Sequence, residues 1–227
     1  MSAQAQLEAF GAQVTAGRGS LSEDLRFLTR AVDPAQARPA AVLILFGVLD
    51  EDPAGFHADA VPDELDVLFV ERAATLNAHP GQVAFPGGGV DEADADPVAA
   101  ALREANEETG LDPAGVRVLG TLPQVGLPVS NFLVTPVLGW WDRPTPVDVV
   151  DEAESASVFR VPVADLLNPA NRRTTVVARG GQEHRGPAFL VNGVVVWGFT
   201  ALILDNLFNQ LGWTLPWDSS QEMVPDL

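Results

Sequence analysis

The chain has 227 residues, 47% apolar and 19% charged, with 13 Lys+Arg against 31 Asp+Glu for a formal net charge of −18. Its length fits one domain, or one domain with an appendage, and is enough to bury a sizeable core. Such an acidic chain is not expected to bind nucleic acid without regard to sequence, or an anionic membrane, because both need clustered Lys/Arg, and with no cysteine it has no disulfide, Cys-ligated metal or thiol nucleophile.

Residues 1–36 read as one or two amphipathic helices, with Leu21, Leu25, Phe27, Leu28 and Val32 at roughly helical spacing behind a Ser20 or Ser22 cap. The start of the chain lacks the basic residues and apolar stretch of a signal peptide, so a cytoplasmic location is expected. Pro34 and Pro39 break the chain. The apolar run at 40–49 reads as a buried strand, a loop follows at 51–64, and 67–71 is a second strand. A turn-rich stretch reaches Gly89. A helix is expected over 97–109, then short strands near 116–123, 132–138 and 158–161, with a helix or helical turn at 162–167. Strands near 174–178 and 188–191 and a helix over about 198–211 complete the series. Apolar runs such as 40–49 and 194–204 are too short to cross a bilayer. Mixed strands and helices, with 20 Gly and 18 Pro, predict an α/β (α+β) fold whose sheet is covered by helices on both faces. The expected organisation is a helical extension at 1–36, a domain at 37–215 and a tail at 216–227.

The helix over 97–109 carries the chemistry. Asp96 can cap it, Pro97 suits its first position and Gly110 can end it in a left-handed conformation. At about 100° per residue, Glu104, Glu107 and Glu108 fall on one arc, while Val98, Leu102 and Ala105 lie on another face that can pack on a sheet. Arg103 stands four residues before Glu107 and can pair with it. Three carboxylates on one arc form either a solvated acidic face or a site for a hard divalent cation, which takes oxygen ligands together with substrate phosphate. The preceding Gly87-Gly88-Gly89 is either a plain loop or a place where backbone approaches a ligand closely.

Arg103, Glu104, Ala105, Glu107, Glu108, Gly110 and Leu111 fill without a gap the second half of the Nudix box, and the segment resembles that family. The first half departs: Gly88 precedes Arg103 by one residue too many, and Ala95 holds the place of the first glutamate. In this it resembles the coenzyme A pyrophosphatase branch, where FPGG is followed by two spaced aspartates, here Asp91 and Asp94. Arg72, Ala73 and the run from Gly81 to Gly88 match that branch's upstream signature, whereas its second arginine is Asn77. The segments 158–162 and 197–201 also resemble the branch.

The resemblance implies a mixed sheet sandwiched between helices, and hydrolysis of the diphosphate of coenzyme A or acyl-coenzyme A to 3′,5′-ADP and 4′-phosphopantetheine or its acyl form. Other readings are ADP-ribose, a dinucleotide or another nucleoside diphosphate derivative as substrate, or a binding module without turnover. It further implies Mg²⁺ or Mn²⁺ held by Glu104 and Glu108, with Glu107 a third ligand or an orienter of the attacking water, and Arg103 orienting Glu107. Glu154, in the acidic cluster with Asp151 and Glu152, is the candidate general base, with a solvated loop the alternative. Arg72 and His79, with the backbone of Gly87 and Gly88, are the candidates for contacting substrate. Arg172, Arg173, Arg179 and Arg185 read either as a phosphate patch or as separate surface residues, while Trp140, Trp141 and Trp197 read as core or interface. The N-terminal helices could cover a sheet edge, close over the pocket or form a homodimer contact.

Overall fold

A computed structural model describes residues 1–48, 53–75, 80–179 and 181–225. In chain order its elements are α1 (Ala3–Thr15), α2 (Glu23–Arg30), β1 (Arg38–Val48), β2 (Leu65–Arg72), β3 (Val83–Ala84), β4 (Gly87–Gly89), α3 (Pro97–Thr109), β5 (Val116–Thr121), β6 (Val125–Leu127), β7 (Phe132–Trp141), β8 (Ser155–Pro162), α4 (Val163–Leu167), β9 (Arg172–Arg179), β10 (Gln182–Val191), β11 (Val194–Val196), α5 (Gly198–Leu211) and β12 (Glu222–Met223).

The apolar run of β1 is the centre of the molecule. Its side chains alternate between two cores, Leu43 and Leu45 to one and Ile44 and Phe46 to the other, so both faces of the strand are dry. β7 runs parallel to β1 over nine paired residues, from Arg38 against Phe132 to Phe46 against Trp140. On the other edge β1 is shared by two antiparallel partners, β4 opposite residues 40–42 and β2 opposite residues 46–48. β2 continues outward to pair with β3 and β8, while β5 and β6 line the far edge of β7. The sheet is therefore mixed, with α3 on one face and α1, α2 and α5 on the other side. The expected layering of helices on both faces is present.

A second sheet, in the order β11-β10-β9-β12, packs with α5 in the larger core. The sequence pattern marked parts of β9 and β10 but not that they form a separate sheet. It also missed β3, β4, β6, β11 and β12, segments of only two or three residues that are too short for an alternation to register.

The N-terminal helices belong to the same core as the sheet. Leu7 and Leu25 are fully buried and Phe10 and Val14 nearly so, and burial on this scale contributes about 1.5–3 kcal/mol per large side chain. Polar contacts fix the docking: Trp213 Nε1 donates to Gln6 Oε1 at 2.9 Å, the Ser22 amide donates to Asn206 Oδ1 at 2.9 Å, and Arg117 bridges Glu8 of α1 and Asp142. The Ser22 hydroxyl caps α2. Among the described residues no helix is long and apolar enough to cross a membrane.

Among the described residues the grouped arginines do not form a phosphate patch. Arg172 is 1% exposed, paired with Asp205 and packed 4.4 Å and 4.7 Å from the ring centres of Phe189 and Trp217. Arg173 donates to the carbonyls of Ala170 and Arg172, and Arg185 pairs with Glu183 and Glu222. Strand alternation sends neighbouring arginines to opposite faces, so closeness in sequence does not pool their charge. The Arg179 side chain lies outside the described residues.

Candidate active site

α3 spans the expected residues. The Asp96 side chain accepts from the Ala99 amide at 2.8 Å, Pro97 opens the first turn, and Gly110 closes the helix at φ 70°. Its packing face differs from expectation. Ala100, Ala101 and Ala105 are fully buried, whereas Val98 and Leu102 are only partly so. The helix packs on β1 and β4, where methyl-sized side chains permit close approach, and the bulkier Val98 and Leu102 sit at the margin.

That approach presses the acidic arc against the glycine strand. A Cβ on Gly88 would lie 2.6 Å from the Glu104 carboxylate, and one on Gly87 would lie 2.3 Å from the Ala41 carbonyl oxygen. The Gly87 amide donates to Glu108 Oε2 at 3.0 Å. The three glutamates thus occupy different environments. Glu108 is buried at 6% exposure, the Glu104 side chain is 19% exposed and that of Glu107 is 55% exposed.

Burial pushes Glu108 up to about 7, with Glu104 and Glu154 adding to the rise and the Gly87 amide and Arg72 opposing it. Glu104 is raised as well, chiefly by burial and against the pull of Arg103. Arg72 and Glu154 therefore stand within electrostatic reach of Glu108. Their own elements explain why: Arg72 ends β2 opposite Ser155 of β8, and the Ala73 amide donates to the Glu154 carbonyl at 2.9 Å. The Arg72 Nε is buried without a hydrogen-bond partner. The loop before β8 is tied to the end of α3, the Val150 amide donating to the Glu108 carbonyl and the Asp148 amide to that of Thr109.

Arg103 meets Glu107 as expected, Nη1 donating at 2.9 Å, but also holds Glu104 at 3.0 Å from the same nitrogen. Its strongest anchor was not foreseen. Nε and Nη2 form a two-pronged contact with Asp94 at 3.0 Å and 2.9 Å, and Nη2 also donates to the Gly89 carbonyl. The sequence singled out Asp94 as one of two spaced aspartates without giving it a partner.

Among the described residues no group of three or more carboxylate or imidazole side chains is placed to hold a metal ion as it stands. The donor set nonetheless suits a hard divalent cation: two carboxylates from successive turns of one helix, both driven toward protonation by burial, beside glycine backbone. A cation there would favour the charged form that burial disfavours. His79 and Asn77 lie outside the described residues. Trp140 and Trp141 are core residues, at 6% and 4% exposure.

Residues 55–179 match the NUDIX domain, more than half of the chain, and the chain belongs to the Nudix family. It is similar to the uncharacterized Nudix hydrolase NudL of Cronobacter sakazakii, 44% identical over 149 residues covering 66% of this chain and 77% of the relative. The NudL of Escherichia coli is 40% identical over 146 residues, covering 64% and 75%. Among solved structures, a MutT/nudix family protein from Enterococcus faecalis aligns with 93% of this chain and 75% of its own at 17% identity and a TM-score of 0.46. The NUDIX domain of Shewanella oneidensis NrtR, solved with ADP ribose, aligns with 65% and 87% at 21% identity and a TM-score of 0.43. The chain is thus an enzyme of the Nudix diphosphatase class, a class that uses divalent metal ions.

Proposed function

We propose that this protein hydrolyses the diphosphate of coenzyme A or an acyl-coenzyme A, releasing 3′,5′-ADP and 4′-phosphopantetheine or its acyl form. The observation that carries this reading is the joining of the branch-like segments at one place. Arg72 and the Gly81–Gly88 run, which resemble the coenzyme A pyrophosphatase signature, end against the helix that bears Glu104 and Glu108.

Glu104 and Glu108 are the residues to hold Mg²⁺ or Mn²⁺, with Glu107 at the open edge as a third ligand or as an orienter of the attacking water. Bound there, the cation would neutralise the diphosphate and polarise its phosphorus–oxygen bonds, which a protein of net charge −18 otherwise repels. Arg103 holds Glu107 in place. Glu154 is the proton acceptor for the water, at a position where its charge already acts on Glu108. Arg72 brings a cationic side chain with an unsatisfied Nε to the substrate phosphates, and the backbone of Gly87 and Gly88 is assigned a substrate contact from the motif. His79 is assigned a substrate contact from sequence position alone. Residues 37–215 are assigned as the catalytic unit, 1–36 as a helical extension and 216–227 as a tail, and the enzyme is assigned to the cytoplasm.

A second reading, ADP-ribose or a dinucleotide as substrate, is favoured by Asn77, which puts a neutral amide where the branch carries an arginine. Product analysis across coenzyme A, acetyl-coenzyme A, ADP-ribose and dinucleotides with Mg²⁺ or Mn²⁺ decides between them. The proposal requires the highest kcat/KM for a coenzyme A substrate. Preference for ADP-ribose or a dinucleotide overturns the substrate, and binding without turnover of any of these overturns the enzymatic assignment.

A further inference from the structure

Arg103 has five N–H donors, and all five are engaged. Nε and one Nη2 hydrogen reach the two oxygens of Asp94, the other Nη2 hydrogen reaches the Gly89 carbonyl, and Nη1 gives one hydrogen each to Glu104 Oε1 and Glu107 Oε2. The Asp94 side chain is only 6% exposed and is fixed in turn by the Asp91 amide at 2.8 Å. Asp91 itself stands farther off, 3.6 Å from Nη2. Asp94 stands one residue before Ala95, in the stretch where the chain departs from its family's spacing.

We infer that Asp94 is a positioning residue that restrains Arg103 and so keeps Glu104 and Glu107 available to the divalent cation. The inference rests on the metal site proposed above. A guanidinium free to turn grips one carboxylate with two parallel hydrogen bonds, occupying both of its oxygens. Held by Asp94 on its far side, Arg103 instead presents a single nitrogen to the pair. Each glutamate keeps one oxygen outside that contact, Oε2 on Glu104 and Oε1 on Glu107. Asp94 thereby limits Arg103 to one oxygen of each glutamate and leaves the other for the cation. Without Asp94 the arginine competes with the cation for the same oxygens.

The test is Mn²⁺ binding to the full chain by calorimetry, beside the metal dependence of turnover, for wild type, Asp94→Asn and Asp94→Glu. The inference predicts that Asp94→Asn raises the Mn²⁺ dissociation constant about tenfold, within the range found when groups that orient metal ligands are removed. The Mn²⁺ concentration for half-maximal rate rises with it by more than kcat falls, and Asp94→Glu recovers most of the affinity. Unchanged Mn²⁺ affinity in Asp94→Asn overturns the inference while leaving the metal site standing. So does a loss of kcat at every Mn²⁺ concentration with no change in affinity, the pattern of a purely structural role. If the wild type binds no Mn²⁺, the metal site falls and this inference with it. If Asp94→Asn does not fold, Asp94→Glu alone decides: Mn²⁺ affinity near wild type with Arg103 still held supports the inference, and affinity lost despite that contact overturns it.

Discussion

Glu108 shows how far a residue's environment can differ from what its sequence neighbourhood suggests. In the run EANEE it looks like part of a solvated acidic face, yet it is buried, accepts a hydrogen bond from the Gly87 amide and is pushed up to about 7. Because the folded state holds this proton more tightly than the unfolded chain does, its stabilising contribution is complete below about pH 4.5 and is lost as the pH rises toward 7. The shift corresponds to about 3 kcal/mol. Glu108→Gln should therefore flatten the fall in metal-free stability between pH 4.5 and 7, as read by urea denaturation at a series of pH values, while abolishing metal-dependent turnover. Equal pH slopes for the two proteins would contradict the buried-carboxylate assignment, and near-wild-type turnover would remove α3 from the mechanism.

At the scale of elements, the site is a helix pressed onto a glycine strand. Alanines on the inner face of α3 let it come close, and the absent side chain at Gly88 leaves the space that the Glu104 carboxylate fills. Gly88→Ala places a methyl group against the flexible end of Glu104 rather than against backbone, so the fold should survive. The displaced carboxylate should weaken Mn²⁺ binding and lower turnover by about ten- to a hundredfold, in line with the loss of a group that orients a ligand. A thermal melt checks the first expectation and calorimetry the second. Wild-type Mn²⁺ affinity in this variant would show that Glu104 does not depend on the glycine. The helix itself was legible in the sequence, because Asp96, Pro97 and Gly110 each carry a local cap signal. The environment of its glutamates was not. A helical wheel orders side chains around an axis but does not say how near the neighbouring strand comes.

For the whole molecule, the sequence identified the main strands and helices because runs such as β1 and α5 carry their own periodicity. It could not pair them. The parallel pairing of β1 with β7, separated by more than eighty residues, and the addition of β12 to β9 in the second sheet depend on contacts distant in sequence. The same limit applies to the site. Arg72, Gly87 and Glu108 sit on β2, β4 and α3, and Glu154 in the turn before β8, and only the folded sheet brings the ends of β2 and β8 beside α3. The sequence pointed to Glu108 and Gly87 from the helical arc and the glycine run and to Arg72 and Glu154 from family resemblance, but it missed the hold of Asp94 on Arg103. It left Arg172, Arg173 and Arg185 as either a phosphate patch or separate residues, and the fold gives each its own partners. The most direct measurement of the central claim is anomalous diffraction from crystals of the protein soaked in Mn²⁺ with a non-hydrolysable coenzyme A analogue. The expected result is an anomalous peak bonded to carboxylate oxygens of Glu104 and Glu108, with the analogue's diphosphate on its other side. A peak elsewhere, or a bound diphosphate with no peak at these glutamates, would contradict it.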